Sequence, residues 1–144
     1  MEILIKKALD PVFAESLIKN NMKEYYLKRN ITWDHVWFLN SWKEFDNFEI
    51  YVDNIRSGVI RLTYNNSATF MRDLQIEPKF QRKGIGSRCL KQVIEEATKN
   101  KYEKLALRVF SENPAIKLYE KVGFQKTSEI EGLIEMEISL GIST

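Results

Sequence analysis

Cysteine and histidine are almost missing from this 144-residue chain, which has one of each, Cys89 and His35. A single thiol cannot close an internal disulfide, and a single imidazole leaves no cluster of the kind that holds structural zinc, so no metal is expected. Long apolar runs are missing too. No stretch approaches the ~18 uninterrupted apolar residues of a membrane helix, and Met1-Glu2-Ile3-Leu4-Ile5-Lys6-Lys7 lacks the h-region and cleavage site of a signal peptide. The expected setting is reducing, cytoplasmic and away from the membrane. Charge of one sign is scarce as well. The 22 basic and 20 acidic residues leave a net +2 with no long single-sign run, so the electrostatic footprint of a nucleic-acid binder is not present.

With 44% hydrophobic residues, the chain can bury one core but not two comfortable ones, which predicts a single domain over residues 1–144. Ile3 and Ile5 begin a short alternating run, and Asp10-Pro11 opens a helix to about Lys28. Thr32 and Asp34 open a second helical segment, with Trp33 and Trp37 four apart and Val36 and Leu39 three apart. Phe48 to Val52 reads as a strand, Asp53 to Gly58 as a turn and Val59 to Tyr64 as the partner strand. A further strand runs from Thr69 to Ile76 and ends before Pro78. From Gly84 the period changes to helical: Ile85, Cys89, Leu90, Val93, Ile94 and Ala97 share one stripe. Leu105 to Phe110 is the next strand, Pro114 to Lys121 a short helix stopped by Gly123, and two last strands cover Phe124 to Ile130 and Leu133 to Leu140. This order predicts an α/β (α+β) fold: a mixed, mostly antiparallel sheet of six to seven strands flanked by about four helices.

The chemistry is most legible between Ile76 and the helix after Gly84. A helix N-terminus offers unpaired N–H groups and a positive dipole, which suit phosphate. Gly84 and Gly86 let the backbone approach a pyrophosphate, and Gln81, Arg82 and Lys83 supply donors around it, with Lys79 close in sequence. A Walker loop is excluded, because Lys83 precedes Gly84, and so is a dinucleotide fingerprint, because Cys89 stands where a third small residue is needed.

The remaining pattern, Leu74-x-Ile76-x-Pro78-x-x-Gln81-x-x-Gly84-x-Gly86, resembles the acetyl-coenzyme A signature of the GNAT superfamily of N-acetyltransferases. The segment Ser111 to Phe124, with Asn113, Tyr119 and Gly123-Phe124, is similar to that family's second signature. The resemblance implies a sheet splayed between its fourth and fifth strands, with acetyl-coenzyme A as cofactor. It implies pantetheine pairing at Leu74, Gln75 and Ile76, a pyrophosphate held by Gln81, Arg82, Lys83, Gly84, Ile85, Gly86 and Ser87, and further cofactor contacts from Asn113, Ala115 and Tyr119. Tyr119 becomes the candidate acid. Beside these stand plainer readings: Tyr119 packing against an apolar helix face, Asn113 acting as a helix cap, and Cys89 serving as core.

A lysine-type amine, with a pKa near ~10.4, arrives protonated and must lose a proton before it attacks a thioester. Relatives carry a glutamate just before an aspartate on the fourth strand; here Arg72 holds the glutamate position and Asp73 is retained. Asp73 and Glu77 share strand parity and are the candidate bases, directly or through water. Acceptor contacts are expected from Tyr26, Trp33, Trp37, Arg72 and Asp73, since all three tryptophans fall near Tyr25, Tyr26, Phe38 and Phe45 and can line a pocket for a cationic or planar amine. The implied acceptor is a small amine or a peptide or protein amino group, and homodimers are frequent in the family. Two other readings stay open: a non-catalytic acyl-coenzyme A sensor of the same fold, and a small nucleotide- or nucleic-acid-binding module using Lys79, Arg82 and Lys83.

Overall fold

Alternating and doubly buried apolar runs make most of the strands, and helical stripes fill the gaps between them. In the computed structural model the described residues are 1–141, so the last three positions of the domain expected over 1–144 lie outside them. The order is β1 (Ile3–Lys7), α1 (Val12–Lys28), α2 (His35–Glu44), β2 (Asp46–Val52), β3 (Ile55–Tyr64) and β4 (Ala68–Ile76). A single 3-10 turn (Pro78–Phe80) then leads to α3 (Ile85–Lys99), β5 (Lys104–Phe110), α4 (Ala115–Val122), β6 (Gln125–Ile130) and β7 (Leu133–Ser139). Among the described residues the strands form one seven-stranded sheet in the order β1-β2-β3-β4-β5-β7-β6. β4 runs parallel to β5, whereas β1–β2, β2–β3, β5–β7 and β6–β7 are antiparallel. The expected mixed, mostly antiparallel sheet with four α-helices is what the described residues form. The parallel ladder runs from Ala68↔Lys104 to Met71↔Leu107, and β4 continues past its end to Ile76.

The hairpin turn is shorter than the sequence reading has it. Asp53 (φ 48°) and Asn54 (φ 68°) alone make it, both in the left-handed region that Asp and Asn tolerate best after glycine. Ile55 to Gly58 belong to β3, and Gly58 pairs with Ile50. Its lack of a side chain has a packing reason, because a Cβ there would lie 2.5 Å from the Gln75 carbonyl oxygen. Trp33 differs as well: α2 starts only at His35, after Asp34 caps it by accepting the Trp37 N–H at 2.9 Å.

Packing divides the chain into two compact units: Met1–Leu62 with Asp73–Gly86, and Thr63–Arg72 with the chain from Ser87 onward. The first has a core of Ala14, Leu17, Ile18, Phe38 and Val59, with Phe13, Met22, Trp33, Leu39 and Trp42 packed against it. In the second, Cys89, Leu90, Val93 and Ala97 of α3 are buried, as are Leu105, Ala106 and Leu107 of β5 and Met136 of β7.

Candidate active site

The turn before α3 is built by its own hydrogen bonds. Pro78 starts the 3-10 turn, and the Phe80 and Gln81 N–H groups return to the Glu77 and Pro78 carbonyls at 2.8 and 3.2 Å. The Gln81 side chain folds back and donates to the Ile76 carbonyl at 3.0 Å, and Asn21 of α1 donates to the same carbonyl at 3.1 Å and to Gln75 Oε1 at 3.1 Å. The end of β4 is thus braced from two sides. Arg82 (φ 61°) and Gly84 (φ 77°) are both left-handed, which turns the chain sharply into α3. Gln81, Arg82, Lys83 and Gly84 are exposed while Ile85 is buried, so the turn faces outward from an anchored helix start. A Cβ built on Gly84 would meet nothing within 4 Å, which leaves the backbone approachable from outside. Lys79 and Lys83 reach over the Phe80 ring, 5.4 and 5.9 Å from its centre, and keep positive charge at this edge. Exposed cations, an unobstructed glycine and a helix start together suit an anionic diphosphate.

The most buried charge of the first unit is Arg61 of β3, at 2% exposure. Its Nε donates to Asn47 Oδ1 at 2.9 Å, Nη2 to Ser41 Oγ at 2.5 Å and Nη1 to Asp73 Oδ2 at 3.4 Å. Its guanidinium carbon lies 4.5, 4.6 and 5.9 Å from the ring centres of Phe38, Phe45 and Trp42. Asn47 is fixed in turn, donating to the Trp42 and Phe45 carbonyls at 2.8 and 3.0 Å. Burial draws the Arg61 pKa down and the Asp73 carboxylate opposes that pull. Much of the aromatic set expected to receive a cation therefore already faces one belonging to the protein. Sequence reading passed over Arg61 as a hairpin residue; the available signal was a lone basic residue in the apolar run Val59-Ile60-Arg61-Leu62, not far from the aromatic cluster.

Of the acceptor residues expected, Tyr26, Trp33 and Asp73 lie close together in the first unit. Tyr26 stacks on Trp33 with ring centres 6.0 Å apart, and burial first, then the nearby Asp73 charge, raise its phenol pKa. Trp33 Nε1 donates to Glu15 Oε2 at 2.8 Å, and His35 Nδ1 meets the same oxygen at 2.6 Å. Burial alone would raise the Glu15 carboxyl, but the bonds from His35 and Trp33 and the charges of His35 and Lys19 outweigh it and hold the pKa below its ordinary value. Trp37 is 60% exposed and meets Phe45 edge-on. Leu74, Gln75, Ile76 and Glu77 are half-buried, and the Glu77 N–H donates to the Ser57 carbonyl at 2.8 Å.

The remaining expected residues lie in the second unit. Arg72 Nε donates to Thr63 Oγ1 at 2.9 Å, and its guanidinium stands 5.3 Å from the Phe70 ring centre. Asn113 Oδ1 accepts the Ala115 N–H at 2.9 Å, a capping bond at the start of α4. Tyr119 is 7% exposed and its ring lies 5.7 Å from that of Phe124, whose N–H returns to the Tyr119 carbonyl at 2.9 Å. Gly123 (φ 121°) ends the helix. Ser87 is half-buried in the first turn of α3. Cys89 is fully buried, and burial pushes its thiol pKa up to about 11, which makes it a core residue and not a thiolate nucleophile. Among the described residues no group of three or more His, Cys, Asp or Glu is placed to hold a metal ion, and no helix is long and apolar enough to cross a membrane.

Comparison with known proteins adds a family to this geometry. The profile described as the Acetyltransferase (GNAT) family matches residues 14–124. Thialysine N-epsilon-acetyltransferase of Bos taurus is 32% identical over 71 residues, which is 49% of this chain and 42% of that protein, so the match spans about two fifths of the relative's length. Among solved structures, the ribosomal-protein-S18-alanine N-acetyltransferase of Escherichia coli aligns with a TM-score of 0.75 at 18% identity, covering 99% of this chain and 97% of that one. The PaiA N-acetyltransferase of Thermoplasma acidophilum, solved in complex with coenzyme A, aligns with a TM-score of 0.71 at 18% identity, covering 96% and 99%.

Proposed function

Because this chain belongs to the GNAT acetyltransferase family, we propose that residues 1–144 act as one catalytic domain that transfers an acetyl group from acetyl-coenzyme A to the amino group of a small amine or a peptide. The observation that carries the reading is the turn Gln81 to Gly86: left-handed at Gly84, open above it and lined by exposed cations. Gly84, Ile85, Gly86 and Ser87 would present backbone N–H groups to the diphosphate, with Arg82 and Lys83 beside them. Leu74, Gln75 and Ile76 would offer backbone groups to the pantetheine amides, and Asn113 and Ala115 would bind the same arm. When bound, the cofactor supplies an activated acetyl thioester.

The chain's own residues then manage protons and charge. A backbone N–H between Leu74 and Ile76 stabilises negative charge on the acetyl oxygen. Tyr119 holds a proton on its Oη and gives it to the sulfur as the thiol leaves. Glu77, directly or through a water, takes the proton that the acceptor ammonium must lose. Asp73, which already faces the Arg61 guanidinium at 3.4 Å, stands with Tyr26 and Trp33 on the acceptor side. Arg72 and Trp37 complete the proposed acceptor contacts.

Thiol release from acetyl-coenzyme A, screened against amines, polyamines, aminoglycosides and peptides, tests the reading. At least one acceptor should give saturable turnover, and Tyr119→Phe should lower that turnover about 10²-fold with coenzyme A affinity unchanged. Coenzyme A binding without turnover on any acceptor would favour a sensor, and binding of nucleic acid lost with salt would favour the nucleic-acid module.

A further inference from the structure

We propose that Arg61 is a positioning residue for the acceptor: its buried guanidinium holds Asp73 as an oriented carboxylate that docks the incoming ammonium and is not the group that deprotonates it. This rests on the acetyl-transfer reading and deepens it at the acceptor side. The geometry leaves Arg61 little freedom. Ser41 and Asn47 hold two of its nitrogens, and Phe38 and Phe45 pack against it on ring faces 4.5 and 4.6 Å away. A buried cation needs a counter-charge, and the carboxylate that Nη1 meets is Asp73, at 3.4 Å. Arg61 is 2% exposed and the Asp73 side chain 17% exposed, so one end of the pair is sealed and the other reaches toward solvent.

Two consequences follow from that arrangement. A carboxylate beside a fixed guanidinium is stabilised in its ionised form, so it attracts an ammonium but holds a transferred proton weakly. Burial first, and then the nearby Asp73 charge, keep Tyr26 of α1 a neutral phenol, while Ser41 of α2 and Asn47 of β2 bond to Arg61. The Asp73 carboxylate and the nearby Tyr26 ring, which stacks on Trp33, favour a cationic amine on an apolar stem over an anionic acceptor.

The test uses the whole protein, acetyl-coenzyme A and the best amine from the screen. Arg61→Met, Arg61→Lys and Asp73→Asn are compared by steady-state kinetics from pH 5 to 9, with coenzyme A affinity by calorimetry. For Arg61→Met the amine KM should rise about tenfold with the acetyl-coenzyme A KM unchanged. Without its cation the Asp73 carboxyl titrates higher, so the acid limb of kcat/KM for the amine should move up by about one pH unit or more. Arg61→Lys, which keeps the charge, should return that limb toward its original place, and Asp73→Asn should remove the Asp73 contribution and leave only the limb of the base. A lower melting temperature with the amine KM and pH profile intact would make Arg61 a purely structural ion pair and overturn the proposal. If Arg61→Met does not fold, the near-isosteric Asp73→Asn decides, since an unchanged amine KM there also overturns it. Failure of the acetyl-transfer reading looks different: the unaltered protein would turn over no acceptor, whether or not it binds coenzyme A.

Discussion

Arg61 and the Arg82-Lys83 pair carry the same kind of charge in opposite surroundings. Arg61 is sealed among aromatic rings and polar side chains and meets Asp73 inside the protein. Arg82 and Lys83 stand exposed beside a glycine with open space above it. A charge whose hydrogen bonds and counter-charge are supplied internally holds a scaffold in one arrangement, whereas a charge left in water beside unobstructed backbone is available to a ligand. The two settings respond differently to substitution.

The largest effect is expected in the sealed region. Phe38→Ala removes a fully buried ring packed against Arg61, Trp33 and Trp42, and should cost about 3–5 kcal/mol of stability by urea denaturation. A loss below about 1 kcal/mol would mean the rings do not hold the guanidinium. At the open turn the balance reverses. Gly84→Glu should weaken coenzyme A binding about 10²-fold, equivalent to about 2.7 kcal/mol, because bulk and negative charge occupy the path of a phosphate. The fold should lose only about 1 kcal/mol from the positive φ. Arg82→Gln with Lys83→Gln should weaken binding about tenfold and flatten its salt dependence, since exposed charges act through a screened field. Unaltered salt dependence would break the contrast drawn between the two sites.

The smallest effect concerns Glu15, which lies between the two extremes. Its side chain is 18% exposed, and its carboxyl is held below its ordinary pKa by His35 and Trp33 against the opposing pull of burial. A depressed carboxyl contributes stability that is present above its unfolded pKa and lost as pH falls through the folded one. Glu15→Gln should therefore be less stable than the unaltered protein at pH 7, by under about 1 kcal/mol, and the gap should close as pH falls through the depressed Glu15 pKa. A gap between them that persists in acid would assign the role of Glu15 to shape and not to charge.

Most of the fold was legible because its elements are locally marked. Pro78 and Gly123 punctuate strand and helix ends, Asp34 caps α2, and the stripe Ile85, Cys89, Leu90, Val93 announces a helix with one buried face. The hairpin misled because Gly58 is a loop residue by habit, while here it sits in β3 where the Gln75 carbonyl comes too close for any side chain. Helical spacing in α2 also left open which ring is buried: Phe38 is, while Trp37 stays exposed.

By itself, the sequence determined the order of elements, the glycine-bearing turn before α3 and the chemistry that turn can hold, because propensity, glycine freedom and helix-end polarity act over a few residues. Only the tertiary structure decided that Arg61 is buried, that it meets Asp73 across 12 residues of sequence, and that it lies against three aromatic rings. Burial and ion pairing depend on which segments are brought together, and no local pattern around an arginine in a strand records what will be packed over it.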